Sequence, residues 1–523
     1  MSNEILKFCL SKGILLDRES FNLLSEFDEI TAKELIEKVS LMQEKIITKS
    51  FFIKNADKIN QLINNEKVIE KLKINLGLTL EISREMFVEP KEKKDQNLDN
   101  IKVLYSPRNS MKKLKALDFV KHFRSRFSEI KQILQEREDI ENLTSINKIN
   151  GQRQSLSIIS IVFSKRFTKN KNIILDVEDL TGKISVLINK DKTELYAKAK
   201  DSLIDDIIAI KGFGNREIIF ANDIIYPDIF LSEKNFLDRD EKAAFISDIH
   251  VGSINFLEDN FRKFIKWLNG EVGDENQREE AKKIKYLFIV GDTVEGVGVF
   301  PGQEELLNIK DIKKQYEKLA EMLSIIRKDI RIIMCPGQHD SVRIAEPQPP
   351  VGEYYAQNLH KLENIIFVSN PSLIEITKNG KKGVKILMYH GASMNSFANE
   401  IESLRIVKPH DNPSKVVKEI LKRRHFSPMH SAVTYIPFEK EDPLLIRETP
   451  DIITTGDFHK PDIDIYKNIL IICSSCWQSI TPFEEKVGNH PDPCKVPVLD
   501  LKTREIKILD FSFSLKSPST RSL

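Results

Sequence analysis

Cysteine is scarce in this chain of 523 residues. There are five, an odd number, which argues against a disulfide scaffold and fits a reducing interior. Long hydrophobic runs are missing too: no segment approaches about eighteen consecutive apolar residues, so none is expected to span a bilayer. Neither sign of charge dominates. Eighty Lys and Arg stand against 78 Asp and Glu, and a net charge of +2 excludes a protein that coats nucleic acid by bulk charge, though not a local basic patch. The opening Met-Ser-Asn-Glu-Ile-Leu-Lys lacks the cationic-then-apolar pattern of a secretion signal. No Gly-x-x-x-x-Gly-Lys-Ser/Thr supports an ATPase, and Gly212-Phe-Gly214 is too little for a nucleotide loop. What is present is 41% hydrophobic and 30% charged residues, enough for several buried cores, in a length that suggests three or four domains.

The apolar period divides the chain. In residues 1–80, Leu24, Phe27, Ile30, Leu35, Ile36, Val39 and Leu41 recur at helical spacing, as do Ile53, Ile59, Leu62, Ile63, Val68 and Ile69. This predicts a helical module, either for docking or dimerisation or as a structural cap. Residues 81–150 read as a charged, partly disordered linker, with Pro90 to Asn100 the stretch expected to be disordered. Between Lys112 and Lys131, Phe119, Phe123 and Phe127 predict an amphipathic helix whose basic side faces either solvent or phosphate. Residues 151–230 change to strand periodicity: Leu156 to Ile161, Ile173 to Val177, Ile184 to Ile188, a helical stretch at 191–203, then Ile207 to Gly212 and Ile218 to Asp223. That order is the order of an OB-type barrel. Lys165 and Arg166, in its expected first loop, are possible DNA contacts, but stacking aromatics are few and a barrel serving as a spacer is an equal alternative. Residues 240–523 place short strands at Ala243, Tyr286, Ile330, Val384, Ile452 and Ile469, with helical stretches at 257–268 and 304–328, a layered α/β pattern.

Five of those strands end in polar clusters: Ser247-Asp248-Ile249-His250, Gly291-Asp292, Gly337-Gln338-His339-Asp340, His390-Gly391 and Gly456-Asp457-Phe458-His459. A lone Asp after a strand is usually a cap or turn, and a lone His near a core is usually just hydrogen-bonded. Together they differ, because open α/β sheets collect ligands beyond their carboxyl strand ends. On extended chain, Asp248 and His250 would share one side. Asp and His donors suit borderline divalent ions, and about seven candidate ligands exceed one site and match two. Two adjacent cations offset the charge that a phosphodiester gathers in its transition state.

These motifs resemble the calcineurin-like binuclear metallophosphoesterase family over about 242–475. With the barrel in front, Asp340-Ser-Val-Arg-Ile-Ala-Glu-Pro-Gln-Pro349 and Trp477-Gln-Ser-Ile-Thr-Pro-Phe483 resemble more narrowly the small subunits of archaeal family D DNA polymerases. The resemblance implies a multidomain protein: an N-terminal helical module, an OB-fold β-barrel and a C-terminal α/β calcineurin-like phosphoesterase domain, a β-sandwich flanked by helices. It implies a 3′–5′ proofreading exonuclease acting on single-stranded or frayed 3′ DNA ends and releasing nucleoside 5′-monophosphates. It further implies two divalent metal ions, Mn²⁺ ahead of Mg²⁺, Ni²⁺, Fe²⁺ or Zn²⁺. A large catalytic polymerase subunit and other replication factors would be the partners, in a cytoplasmic, nucleoid-associated setting without membrane. A structural assembly subunit that has lost catalysis and a free-standing phosphodiesterase are the alternatives. By the family pattern Asp248, His250 and His459 hold the first metal, Asp292 bridges, and Gln338 and His390 hold the second with Asp457 beside them. His339 contacts the scissile phosphate or assists the leaving oxygen, and Asp340 steadies its ring. Two positions depart from the family, which usually has Asn at Gln338 and His at Asp457.

Cys473-Ser-Ser-Cys476 suggests packing or a substrate loop, or a metal site if Cys494 or His490 completes it. Lys422-Arg423-Arg424-His425 is either a basic patch over a DNA backbone or a solvated helix end.

Overall fold

A computed structural model describes residues 2–17, 20, 21, 24, 29–40, 46–48, 51, 52, 55, 100–108, 113–378, 381–512, 520 and 521. The helical readings at 53–69 and the disorder expected at 90–99 lie outside these, apart from Asn55. Two compact units divide at residues 94 and 95. In the first, helices α1 (Ser2–Ser11) and α2 (Glu29–Ser40) flank a two-residue parallel pair, β1 (Leu15–Leu16) and β2 (Ile46–Ile47). Ile5, Cys9, Leu35, Ile36, Val39 and Phe52 form its core.

The second unit opens with β3 (Ile101–Tyr105) and α3 (Ala116–Gln135). β3 corrects the expectation of a linker over 81–150, whereas α3 is the helix expected between Lys112 and Lys131. β3 is the edge strand of a six-stranded sheet, with Ile101 opposite Ile376 and Tyr105 opposite Leu373. Its half-polar Ile-Lys-Val-Leu-Tyr suits an edge, where only one face is covered. Helix α3 is no free basic helix either: Phe127, Ile130 and Leu134 are buried, and so is Arg126.

A closed barrel follows: β4 (Gln154–Phe167), β5 (Ile173–Asp179), β6 (Gly182–Ile188), α4 (Thr193–Lys200), β7 (Ile207–Gly214) and β8 (Ile218–Ile225), in spatial order β4-β5-β6-β8-β7. Alternation drives it: Leu175, Val177, Val186 and Ile188 point in and are fully buried, while Ile174, Asp176 and Leu187 between them stay partly exposed. Lys165 and Arg166 lie on β4, which runs on to Phe167, and not in a loop.

The rest is two facing sheets. The first contains β9 (Lys242–Ile246), β10 (Ile284–Val290), β11 (Arg331–Cys335) and β12 (Ile365–Phe367), all parallel, extended by antiparallel β18 (Lys495–Asp500), β19 (Ile506–Asp510) and β20 (Thr520–Arg521). The second runs β16-β17-β15-β14-β13-β3, with β13 (Ser372–Lys378), β14 (Lys381–Met388), β15 (Ile452–Thr455), β16 (Asp462–Tyr466) and β17 (Ile469–Cys473). Phe245, Phe288 and Ile333 from one sheet meet Ile374, Ile386, Ile452 and Ile472 from the other in a dry core. Helices α5 (Glu258–Leu268) and α6 (Ile312–Ser324) cover the outer face of the first sheet through Phe264, Trp267, Tyr316 and Leu319. Helix α7 (Pro413–Arg423) does so for the second through Val416, Val417 and Ile420. Among the described residues no helix is long and apolar enough to cross a membrane.

Candidate metal centre

The parallel strands β9, β10, β14 and β15 deliver their C-terminal turns to one place. Those turns are strained: Asp248, His250, Asp292, Asp457 and His459 have φ of 50°, 53°, 48°, 68° and 55°. L-residues pay on the order of 1–3 kcal/mol each for this left-handed region, and such outliers persist where surrounding structure fixes them. Asp248 and His250 therefore do not share one side of an extended chain, as their spacing suggested. The turns hold one another instead: Asp248 N–H donates to Gly291 O at 3.0 Å, His250 N–H to Asp292 O at 3.1 Å, and Asp457 N–H to Asp248 Oδ2 at 3.1 Å. Gly291, at φ 80°, leaves room for the His390 imidazole, which a Cβ would strike. A Cβ on Gly337 would strike the Asp292 carboxylate.

The donors converge. Asp248 Oδ1 lies 3.4 Å from His459 Nε2, 3.9 Å from His250 Nε2 and 4.0 Å from His390 Nε2. Asp292 Oδ2 lies 3.2 Å from His390 Nε2 and 4.0 Å from His250 Nε2. Three overlapping groups can each surround a cation: Asp248, His250 and His459; Asp248, Asp292 and His390; His250, Asp292 and His339. They make a binuclear metal-binding site. The fit shows in atoms left without partners, since Asp248 Oδ1, His250 Nε2 and His390 Nε2 are buried and make no hydrogen bond. Such orphans are costly unless a ligand completes them. Burial disfavours the Asp292 carboxylate, yet the imidazoles of His390, His339 and His250 hold it far below the ordinary range.

Residues 243–463 match the family of DNA polymerase alpha/epsilon B subunits. A DNA polymerase II small subunit of Methanothermobacter thermautotrophicus is 39% identical over 396 residues, 76% of this chain and 79% of its own. The chain belongs to this small-subunit family. The Pyrococcus furiosus DNA polymerase II small subunit is also 39% identical over 396 residues, but the match spans only 63% of that longer protein. An archaeal phosphodiesterase among solved structures is 15% identical, with a TM-score of 0.25 over 51% of this chain and 98% of its own.

In this family member every imidazole of the centre is oriented by an oxygen. His250 Nδ1 is 2.9 Å from Glu295 Oε2, His459 Nδ1 2.7 Å from Glu484 Oε1, His390 Nδ1 2.9 Å from Val290 O, and His339 Nδ1 2.8 Å from Glu295 O. A proton on Nδ1 leaves Nε2 of each ring as the free donor. Glu295 and Glu484 escaped the sequence reading because no motif spacing ties them to His250 or His459. Glu295→Gln is expected to weaken divalent-ion binding about 10- to 100-fold with the fold intact, as checked by calorimetric titration of the metal-free protein.

Gln338 and Asp457, the two departures from the family pattern, touch each other: Gln338 Nε2 donates to Asp457 Oδ1 at 3.0 Å. Asn395 Nδ2 reaches Asp457 Oδ2 at 3.4 Å. Burial, with Asp248 and Asp292 nearby, pushes the Asp457 carboxyl up to about 7, although His390 and His459 pull it down.

Asp340 does not steady the His339 ring. Its carboxylate accepts from the Gly337 N–H at 2.9 Å, Tyr316 OH at 3.0 Å, and the Thr293 N–H and hydroxyl, so it fixes the turn that carries Gln338 and His339. The ring is set by Glu295, and the His339 N–H donates to Asp292 Oδ1 at 2.8 Å.

The basic candidates are corrected too. Arg423 is 2% exposed and pairs with Asp206 at 3.0 Å and with Glu419, while its Nη2 donates to Asp201 O at 2.7 Å. Arg424 is buried and donates to the carbonyls of Ile446 and Arg447. Lys422 lies over the Tyr226 ring at 4.5 Å and pairs with Glu419. These cations tie α7 to the barrel and the 446–447 segment, and no DNA backbone could reach the two arginines. Lys165 donates to the carbonyls of Lys200 and Ser202 at 2.6 and 2.8 Å, whereas Arg166 remains exposed beside Asp176. Cys473, Cys476 and Cys494 are buried thiols, and among the described residues the metal-donor groups include no cysteine.

Glu346 is a further residue that the sequence reading missed. Burial pushes its carboxyl up to about 8, helped by Asp457 and opposed by Tyr389 and His390, and its Oε1 has no partner. The folded pKa exceeds the ordinary one of about 4.3, so its stabilising contribution is whole below that value and is lost as pH rises through about 8. Glu346→Gln should therefore stabilise the metal-free protein by up to about 4 kcal/mol at pH 8 and by less than about 1 kcal/mol at pH 4.5, read from urea unfolding.

Proposed function

We propose that the chain is the editing subunit of a two-subunit replicative DNA polymerase. It removes 3′-terminal nucleotides from single-stranded or frayed DNA as nucleoside 5′-monophosphates, while a separate large subunit polymerises. The observation that carries the reading is the pair of buried carboxylates, Asp248 and Asp292, set among three imidazoles whose Nε2 atoms converge. Divalent cations bound there, Mn²⁺ foremost, supply Lewis-acid neutralisation of phosphodiester charge and acidify water. Asp248, His250 and His459 would hold one ion, Gln338 and His390 the other, with Asp292 between and Asp457 alongside. His339, with Nδ1 committed to Glu295 O, keeps Nε2 for the scissile phosphate or the departing 3′ oxygen.

The domain reading is a helical interaction module over 1–80, a charged linker with a basic helix over 81–150, from which β3 and α3 are drawn, an OB-fold over 151–230 and a phosphoesterase domain over 240–523. The barrel order β4-β5-β6-β8-β7, with α4 between its third and fourth strands, supports the OB assignment. Other replication factors are further partners, and the setting is the archaeal cytoplasm at the nucleoid.

The Gln338–Asp457 hydrogen bond favours a second reading, an assembly subunit with a weakened second metal position and lost catalysis. The test is the purified chain, alone and with its large subunit, incubated with Mn²⁺ on single-stranded, mismatched and paired 3′ ends. Release of 5′-mononucleotides, fastest from unpaired ends, supports editing. Intact substrate in every arm favours the assembly subunit, and cleavage of small phosphodiesters but not DNA favours a free-standing phosphodiesterase.

A further inference from the structure

The barrel leaves part of its outer surface uncovered. Helix α3 packs Phe127, Ile130 and Leu134 against Ile159, Ile207, Ala209 and Ile225, and so closes one flank. On the other flank strand register lays out an outward row. Arg166 stands opposite Ile174, Ile174 opposite Leu187, Leu187 opposite Phe220, and Phe220 opposite Phe213. Phe213 and Phe220 are 45% and 37% exposed, side by side on neighbouring strands. The Arg153 guanidinium lies 5.6 Å from the centre of the Phe220 ring. Farther round, Phe163 is 55% exposed and carries the Lys183 ammonium 3.7 Å from its centre. Exposed Lys169 and Lys171 stand in the turn after β4, and exposed Arg216 in the turn after β7, next to Glu217.

We propose that this face binds single-stranded DNA, with successive bases stacked on Phe213 and Phe220 and the backbone met by Arg153, Arg166 and Arg216. Every base has a π-face, so two adjacent exposed rings form a platform indifferent to sequence, and cations at their edges match a phosphate backbone. A protein partner suits the face less well. The centres of protein interfaces are depleted in lysine, and at the margin of this face Lys183 covers the Phe163 ring. Of the carboxylates beside the face, Asp176 accepts from Ser164 and Ser185 at 2.7 and 2.6 Å and stands 3.4 Å from Arg166, Glu178 pairs with Lys183 at 2.7 Å, and Glu217 adjoins Arg216. The inference does not rest on the nuclease reading, because binding is measured with divalent ions chelated.

The experiment is fluorescence anisotropy of a labelled oligothymidylate with the full chain in EDTA. Phe213→Ala with Phe220→Ala should weaken binding about 100-fold, at about tenfold per lost stack, with the fold retained and the thermal midpoint lowered by a few degrees, since both rings are only half-buried. Phe213→Trp should keep affinity and Phe213→Leu lose it, because leucine retains apolar contact but cannot stack. Arg153→Ala should flatten the salt dependence. Ultraviolet crosslinking of bromouridine-substituted DNA should label the peptides carrying Phe213 and Phe220. An affinity of the double alanine variant within about twofold of wild type overturns the proposal. So does a leucine variant that binds DNA normally but loses a stoichiometric protein partner on co-purification, which would make the face a protein interface.

Discussion

Asp292→Ala is expected to lose metal-dependent cleavage by about a thousandfold or more while the protein stays folded. Asp292, like Asp248, belongs to two of the three donor groups, with Oδ2 3.2 Å from His390 Nε2 and 4.0 Å from His250 Nε2, and its Oδ1 accepts the His339 N–H. Removing it withdraws a negative charge from two overlapping donor groups and frees the turn bearing His339. Metal-ion stabilisation of a phosphoryl transition state is worth several kcal/mol, and about 4 kcal/mol corresponds to about a thousandfold in rate. Mn²⁺ stoichiometry by calorimetry should fall below two per chain at the same time, while pull-down of the large subunit persists. Undiminished cleavage would remove Asp292 from the bridging position. Unchanged stoichiometry with lost cleavage would leave the site intact and move the defect to substrate contact.

The centre was legible because its donors are encoded locally. Each sits at the end of a short apolar strand, and parallel strands bring such ends together whatever the loops do. What supports the donors was not legible. Glu295 lies 45 residues beyond His250, and Glu484 lies 25 beyond His459, with no periodicity to connect them. Asp340, adjacent to His339 in sequence, turns away to Thr293 and Tyr316, so chain proximity misled. Lys422, Arg423 and Arg424 looked like surface because three cations in a row are usually solvated, yet buried Asp206 accounts for Arg423. The left-handed backbone of five site residues leaves no trace in residue type, because none of the five is glycine. β3 was hidden for the opposite reason: five residues in a charged neighbourhood suffice when a neighbouring strand supplies the other half of the ladder.

Asp442→Ala is expected to cost about 3–5 kcal/mol of stability, far more than any surface ion pair here. Asp442 is fully buried and sits among three cationic or ionisable groups: Arg126 Nε donates to it at 2.5 Å, His425 Nε2 at 2.9 Å, and His122 Nε2 is 3.3 Å away. His122 and Arg126 belong to α3, so this carboxylate fastens the supposed linker to the β-sandwich. Alanine leaves the Arg126 charge buried without a carboxylate, against the Pro428 carbonyl at 2.8 Å, His122 Nε2 at 3.4 Å and the Phe123 ring. Replacing both partners by apolar residues of like size, Arg126→Met with Asp442→Leu, should recover most of the loss, since the cost lies in the stranded charge and not in the pair. The same cluster carries a pH signature. Burial first, then Arg126, pushes the His425 imidazole down to about 4, against the pull of Asp442. The Ser427 N–H donates to His425 Nδ1 at 2.9 Å, a bond that a second ring proton would break. Because the folded pKa lies below the ordinary value of about 6.5, the unfolded chain binds more protons between the two. Stability is whole above pH 6.5 and falls by up to about 3 kcal/mol as pH approaches 4. Urea unfolding at pH 7.5 and 5 should show that fall in the wild type and a smaller one in His425→Gln. Equal slopes would mean that His425 is already charged in the fold, and the tie between α3 and the sandwich would then be built differently.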